Sequence, residues 1–185
     1  AINAAGSSGS IAITSNAASI SGGTLSAGQD VTLTLNAGSG VALGAITAGT
    51  GGNGSISITH SGASDITLNG NLQTTRSGLA DNVAAISVTS GRDILLASTT
   101  SLVANTSGAI RLNAAGAINL KVNDGGGSAA ANSITAAGNL SITSTAGQIL
   151  RSDGSGFDRS SYLGHLPKFA SKPEIQDLVF SSGAG

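Results

Sequence analysis

The sequence contains no cysteine, no methionine and no tryptophan, and its 185 residues include only four aromatic residues and two prolines. The absence of cysteine excludes disulfides and thiolate metal sites. The scarcity of rings excludes a globular core built around large aromatic side chains. The interior must therefore be thin and made from Ile, Leu, Val and Ala, as in a chain that coils around a narrow core.

Charged residues are scarce and balanced, with eight basic and nine acidic side chains and a net charge of −1. Such a chain has no basic patch for nucleic acid, so we expect no nucleic-acid partner. No stretch approaches the roughly 20 consecutive apolar residues of a membrane-spanning helix, so we expect no membrane insertion. The 28 glycines suggest disorder, but the 39 % hydrophobic content and its regular spacing favour an ordered fold.

Aliphatic residues recur in register along the chain. Six stretches carry Ile, Leu or Val at their first and third positions, and their starts are 20, 25, 30, 24 and 30 residues apart. A period of this size indicates stacked repeat units, and the alternation indicates strands with one buried face. The six stretches are Ile11–Thr14, Val31–Thr34, Ile56–Thr59, Ile86–Thr89, Ile110–Asn113 and Leu140–Thr143.

Two further short aliphatic stretches follow each of the first five strands, as at Val41–Leu43 and Ile46, and the sixth coil is incomplete, ending near Ile149–Leu150. Three short strands per repeat, separated by tight turns, predict an all-β parallel β-helix of about six coils over residues 1–156. Glycines fall at the expected corners and predict positive φ angles there. These corner glycines are Gly22, Gly23, Gly44, Gly70 and Gly116.

Coil length varies, and the extra residues are small or polar. Arg76–Asn82 and Asp124–Ala131 predict loops that protrude from a corner. Ala1–Gly6 is similar to residues 133–138, which predicts that the chain begins in the middle of a coil, as a mature product or as part of something longer.

The composition changes abruptly at residue 157. Both prolines, all four aromatic residues and six of the seventeen charges lie in residues 157–185. Ser171–Glu174 fits a capping box, and the apolar spacing after it predicts a short amphipathic helix near 172–180. We expect this segment either to cap its own solenoid or to dock on a neighbouring molecule in a head-to-tail filament. The candidate assembly surface is Phe157, Tyr162, Phe169, Ile175, Leu178, Val179 and Phe180.

Repeat units such as Gly54–Thr59, Asp65–Gly70 and Ala137–Thr143 resemble those of the filamentous haemagglutinin-like adhesins of bacteria. The resemblance covers residues 1–156 and does not extend to the segment after them. It implies a right-handed β-helix that is secreted and displayed at the cell surface. It also implies a role in adhesion or biofilm formation, with a host or bacterial surface, glycan or protein, as the partner.

The residues predict no catalytic site, no metal site and no cofactor. Asp30, Asp65 and Asp93 each directly precede a strand, which is typical of corner hydrogen bonding. Asp30 precedes the first strand of its coil, whereas Asp65 and Asp93 precede the second, so we do not expect one catalytic column. His60 is expected at a solvent-facing corner. Asp153–Asp158 matches a calcium-binding repeat only in part, and the successive copies that such a site needs are missing.

The outward positions of the first-strand column form a ladder of hydroxyl side chains. We expect Thr side chains on successive coils to line up about 4.8 Å apart. Such a ladder resembles ice-binding β-solenoids, although Arg111 and Asn113 interrupt it. The candidate outward ladder is Thr14, Thr34, Thr59, Thr89 and Thr143.

Three hypotheses follow from the sequence. The favoured one is a non-enzymatic extracellular structural or adhesive protein, a β-helical adhesin or fibre segment. The alternative is an ice- or glycan-binding β-solenoid that uses the Thr ladder. The third is a carbohydrate-active enzyme, which the scattered carboxylates disfavour.

Overall fold

A computed structural model of the chain describes residues 1–4, 6–16, 19–36, 40–97, 100–120, 133–147, 149–150 and 178–182. Within these residues every regular element is a β-strand. In chain order the strands are β1 (Ile2–Ala4), β2 (Ile11–Ser15), β3 (Ser21–Gly22), β4 (Leu25–Ala27), β5 (Val31–Leu35), β6 (Val41–Leu43), β7 (Ile46–Ala48), β8 (Ile56–His60), β9 (Ile66–Leu68), β10 (Leu72–Thr74), β11 (Ala84–Ser90), β12 (Ile94–Leu96), β13 (Ser101–Ala104), β14 (Ala109–Ala114), β15 (Ile118–Asn119), β16 (Ser133–Ala136), β17 (Leu140–Ser144), β18 (Ile149–Leu150) and β19 (Leu178–Ser182).

These strands form three parallel sheets. Sheet A has the order β1-β4-β7-β10-β13-β16, and sheet C has the order β18-β15-β12-β9-β6-β3. Sheet B lies between them in the chain path and has the order β19-β17-β14-β11-β8-β5-β2. From β1 to β18 the chain visits A, B and C in turn, so each strand pairs with strands three places away. The prediction of an all-β solenoid of stacked parallel strands is confirmed.

The six stretches found in the sequence all lie in sheet B and pair in the predicted register. Ile58 of β8, for example, stands beside Leu33 of β5 and Val88 of β11. All three are fully buried, because alternate side chains of a strand point to opposite faces and these face the interior. Burial of one such side chain contributes about 1.5–3 kcal/mol, so continuous aliphatic columns hold the stack together.

Sheets A and C close the interior with the same chemistry. Leu72 of β10 pairs with Ile46 of β7 and Leu102 of β13, and all three are buried. In sheet C, Ile94 of β12 pairs with Ile66 and Ile118, which are also buried. Short strands that each contribute one or two inward aliphatic side chains give the thin core that the composition predicts.

Corner glycines such as Gly44 and Gly70 are required for a different reason from the one expected, whereas Gly22 has room for a side chain. Positive φ angles occur at Gly49, Gly52, Gly78 and Gly108, and not at the glycines singled out from the sequence. At Gly44 a Cβ would lie 2.8 Å from the carbonyl oxygens of Gly22 and Gly23, on the coil next to it. Successive corners stack backbone on backbone, and this close approach excludes a side chain.

The segment Leu178–Ser182 corrects the helix prediction for the end of the chain. It forms β19, which pairs in parallel with β17 and extends sheet B, so the last three residues of the predicted helix near 172–180 belong to a strand. The register places Leu178 beside Leu140 and Phe180 beside Ile142. Pairing with β17 therefore overrides the helical spacing of the apolar residues near this end of the chain. The earlier part of the predicted helix lies outside the described residues.

Candidate functional site

The outer face of sheet B carries the hydroxyl ladder in the register that the sequence predicts. Thr59 of β8 pairs with Thr34 of β5 and Thr89 of β11, and none of the three is buried. A second outward column, two residues earlier, runs parallel to the first. The column that contains the Thr residues is Thr14, Thr34, Thr59, Thr89, Asn113 and Thr143, and the second is Ala12, Thr32, Ser57, Ser87, Arg111 and Ser141.

The interruption of the ladder coincides with a groove. Arg111 and Asn113 of β14 pair with Ser141 and Thr143 of β17. A groove of about 420 Å³ lies over these four side chains and reaches Asn139 at the corner before β17. The ladder therefore changes from a row of hydroxyl groups to a site with one guanidinium, two amides and two hydroxyls.

The segment Arg76–Val83 borders this groove, and we call it the strap. The strap begins at the A-to-B corner, where the Arg76 guanidinium donates to Ser55 Oγ at 2.9 Å and lies 3.5 Å from Asp30 Oδ1. The amide and hydroxyl of Ser77 both donate to Asn53 Oδ1, at 3.2 and 3.0 Å. Hydrogen bonds thus join the strap to the two coils that precede it.

The strap is also joined to the coils that follow it. Ser107 Oγ donates to the Arg76 carbonyl at 2.9 Å and accepts the Leu79 amide at 3.0 Å. Farther along, the Asn139 amide donates to the Asp81 carbonyl at 2.8 Å. The sequence predicted this segment as a protruding loop, but its hydrogen bonds hold it against the coils on both sides. The sequence gives no signal for that, since the partners are distant Ser and Asn residues. The second predicted loop, Asp124–Ala131, lies outside the described residues.

Two of the three aspartates have the corner role expected for them. Asp30 Oδ1 accepts the Ser55 amide at 2.7 Å, and Asp93 Oδ1 accepts the Ala117 amide at 2.7 Å. In each case a carboxylate ties its corner to the next coil along the chain. Asp65 instead faces Arg92, with 3.3 Å between its Oδ1 and the arginine Nε. Asp30 stands at the A-to-B corner, whereas Asp65 and Asp93 stand at the B-to-C corner of successive coils, so the three do not form one column.

His60 is a buried residue, and the expectation of a solvent-facing corner is wrong. Its side chain is 1 % exposed, and the register places it beside Leu35 and Ser90. As the fifth residue of β8 it has the same parity as Ile56 and Ile58, so it points inward. Neither ring nitrogen has a hydrogen-bond partner in the described residues.

We expect His60→Leu to stabilise the solenoid. The substitution removes a buried polar ring without partners and continues the column with the side chain type of Leu35, and each unpaired buried polar group costs about 1–3 kcal/mol. The thermal unfolding midpoint, followed by circular dichroism, should rise. Thr59→Leu, one residue earlier on the outer face, serves as the control and should change stability by less than about 0.5 kcal/mol. A lower midpoint for His60→Leu would mean that the imidazole makes a bond that this structure does not contain.

The candidate assembly surface is described only at its end. Leu178, Val179 and Phe180 lie on β19, at the edge of sheet B. Phe157, Tyr162, Phe169 and Ile175 lie outside the described residues. The assembly role of this surface therefore stays a prediction.

In the part of the chain that the structure describes, no three His, Asp or Glu side chains come together in a group that could hold a metal ion. In the same part, no helix offers the length and apolarity that a bilayer span requires.

No protein-family model matches this chain, and no curated protein or solved structure matches it either. The proposals below are therefore based on the geometry of the chain itself.

Proposed function

We propose that this chain is a non-enzymatic structural and adhesive protein of the extracellular space, a segment of a β-helical adhesin or fibre. In this proposal the solenoid is right-handed, has about six coils, and is displayed on a bacterial cell surface, where it serves attachment or biofilm formation. The observation that carries the proposal is the continuous three-sheet stack, in which function can only be located on the outer faces and corners. Such a stack is a rigid rod that presents a repeating surface.

The hydrogen bonds and the ion pair that the corner carboxylates make support a role without catalysis. Asp30 and Asp93 accept backbone amides, and Asp65 faces Arg92. A glycoside hydrolase needs two carboxylates that flank a substrate, free to act as acid, base or nucleophile. The described aspartates at the corners instead hold adjacent coils together.

Electron microscopy and an attachment assay test the proposal together. We expect rods or fibres in the native material, and retention of the purified chain on bacterial or host-cell surfaces. Turnover of polysaccharides by the chain, or failure to attach to any of these surfaces, would contradict the proposal.

The register of the outer columns favours a second candidate, an ice- or glycan-binding surface. Two columns about 7 Å apart with a repeat of about 4.8 Å form a regular array over the first four coils of sheet B, in which every position except Ala12 carries a hydroxyl group. Thermal hysteresis in the presence of ice separates this candidate from the first, because a purely adhesive rod does not arrest ice growth. Thr59→Lys, in the centre of the array, should abolish any hysteresis.

The pairing of β19 with β17 supports the capping alternative for residues 157–185. Because β19 occupies the hydrogen-bonding edge of β17, deletion of residues 157–185 should leave that edge unpaired and promote association. We expect the truncated chain to aggregate in size-exclusion chromatography, at concentrations where the full chain is soluble. A soluble, folded monomer after truncation would contradict the capping role and favour head-to-tail docking through this segment.

A further inference from the structure

We propose that the groove around Arg111 binds the carboxylate of an acidic sugar unit, so that the solenoid attaches to a carboxylated polysaccharide. This inference depends on the proposed adhesive function and names the ligand of its outer face. The proposed site lies at one position on sheet B, whereas the hydroxyl ladder extends over several coils.

The first argument is the charge of Arg111. The described residues include three arginines, and two of them are ion-paired: Arg76 with Asp30, and Arg92 with Asp65. Arg111 has no ion pair within the described residues, and Asp81, the acidic residue of the strap, does not form one with it. A guanidinium without a counter-ion among the described residues attracts an anion from solution, and its planar fork matches the two oxygens of a carboxylate.

The second argument is that Arg111 is held in place. Its Nη2 donates to the backbone carbonyl of Asn82, at the end of the strap. The strap itself is fixed to the coils on both sides through Asn53 and Ser107. Part of the entropy that a long side chain loses on binding is therefore lost before the ligand arrives.

The third argument is the chemistry of the groove beside Arg111. Asn113, Ser141, Thr143 and Asn139 line it together with the guanidinium. Amide and hydroxyl groups both donate and accept, as do the hydroxyl groups of a sugar. The four paired side chains span a rectangle of about 4.8 by 7 Å, the scale of one sugar ring. The volume of about 420 Å³ falls within the range of small-molecule sites.

The simplest alternative is that Arg111 only keeps the outer face of sheet B soluble. That role needs a charge but no groove, no anchored guanidinium and no specific ligand. The two explanations differ in one measurable respect, since only a binding site distinguishes a carboxylated sugar from the same sugar without its charge.

A titration of the full chain with a trimer of α-1,4-linked galacturonic acid tests the proposal. We expect saturable binding by calorimetry, with amide shifts at Arg111, Asn113, Ser141 and Thr143 in the nuclear magnetic resonance spectrum. Arg111→Gln should weaken binding about tenfold or more, because a charge-assisted hydrogen bond is lost. Arg92→Gln, which removes an ion-paired arginine of the B-to-C corner, is the matched control and should leave the affinity unchanged. Thermal unfolding confirms that both variants are folded.

Several outcomes would overturn the proposal. Equal binding of the methyl-esterified trimer would show that the carboxylate is not recognised. Binding of triglutamate with the same affinity as the trimer would show that the site recognises negative charge and not the sugar. Absence of any binding, or equal affinity of wild type and Arg111→Gln, would show that the groove around Arg111 is not the binding site. Surface attachment without trimer binding would contradict this inference alone, whereas trimer binding without attachment would contradict the proposed function alone.

Discussion

Replacing Ile58 by Asp is expected to unfold the middle of the solenoid. Ile58 is fully buried in the aliphatic column of sheet B, between Leu33 and Val88. A carboxylate at this position would have no partner in the column, and burial of an unpaired charge is among the largest single-residue penalties, about 4–5 kcal/mol or more. Because every coil depends on its neighbours, loss of this coil would separate the stack into two short pieces.

The matched control is Thr59→Asp, which introduces the same charge one residue later. Thr59 is exposed on the outer face of the same strand, so its carboxylate would stay hydrated. We expect a change of no more than about 0.5 kcal/mol. Thermal unfolding followed by far-ultraviolet circular dichroism compares the two variants directly. If both variants unfolded at the same temperature, the inward and outward assignment of β8 would be wrong.

The alternation in the sequence was sufficient to predict this assignment. Ile, Leu and Val at the first and third positions of each stretch identify sheet B and its register, because a slip by one residue would turn every apolar side chain outward. The same period predicts the Thr column, whose pairing follows from that register. The parts of the fold that depend on strand period alone were therefore accessible from the sequence.

The wrong predictions concern residues that follow the last clearly alternating position of the apolar pattern. His60 was placed at a solvent-facing corner, whereas it is the last residue of β8 and pairs with Leu35. Parity alone would have placed His60 inside, but its polar ring favoured a corner. Leu178 and Phe180 were similarly assigned to a helix, because the apolar residues near them satisfy both periods.

The strap could not have been predicted from the sequence. Its hydrogen bonds join residues about 20 to 60 positions apart, as between Ser77 and Asn53 or Asp81 and Asn139. Polar residues of common type carry no local signal of such pairing. The same holds for the Arg111 groove: the sequence shows that Arg111 interrupts the ladder, but the carbonyl that holds it comes from a segment 29 residues away.

Gly54→Ala is expected to destabilise the solenoid strongly, because Gly54 lies at a corner where adjacent coils are in close contact. Gly54 is buried at the start of the segment that leads into β8. A Cβ on it would collide with the Gly49 amide nitrogen of its own corner and with the Gln29 carbonyl oxygen of the preceding coil. Both colliding atoms belong to backbone, so no rotamer change relieves the overlap. Overpacking of a side chain costs about 1–3 kcal/mol, and we expect about 3 kcal/mol or more where the backbone must move.

Gly22→Ala is the control for this effect, because it makes the same chemical change in strand β3, where no atom lies within 4 Å of the added Cβ. There the substitution also restricts the unfolded chain, so stability should be unchanged or rise by up to about 1 kcal/mol. Denaturant unfolding of both variants measures the difference in free energy. A large difference would show that Gly54 is required because stacked corners are in contact. If chain flexibility were the reason, the two positions would respond alike. A small loss at Gly54 would mean that adjacent coils can separate at a corner without loss of pairing in sheet B, and that the solenoid is more flexible than its backbone contacts imply.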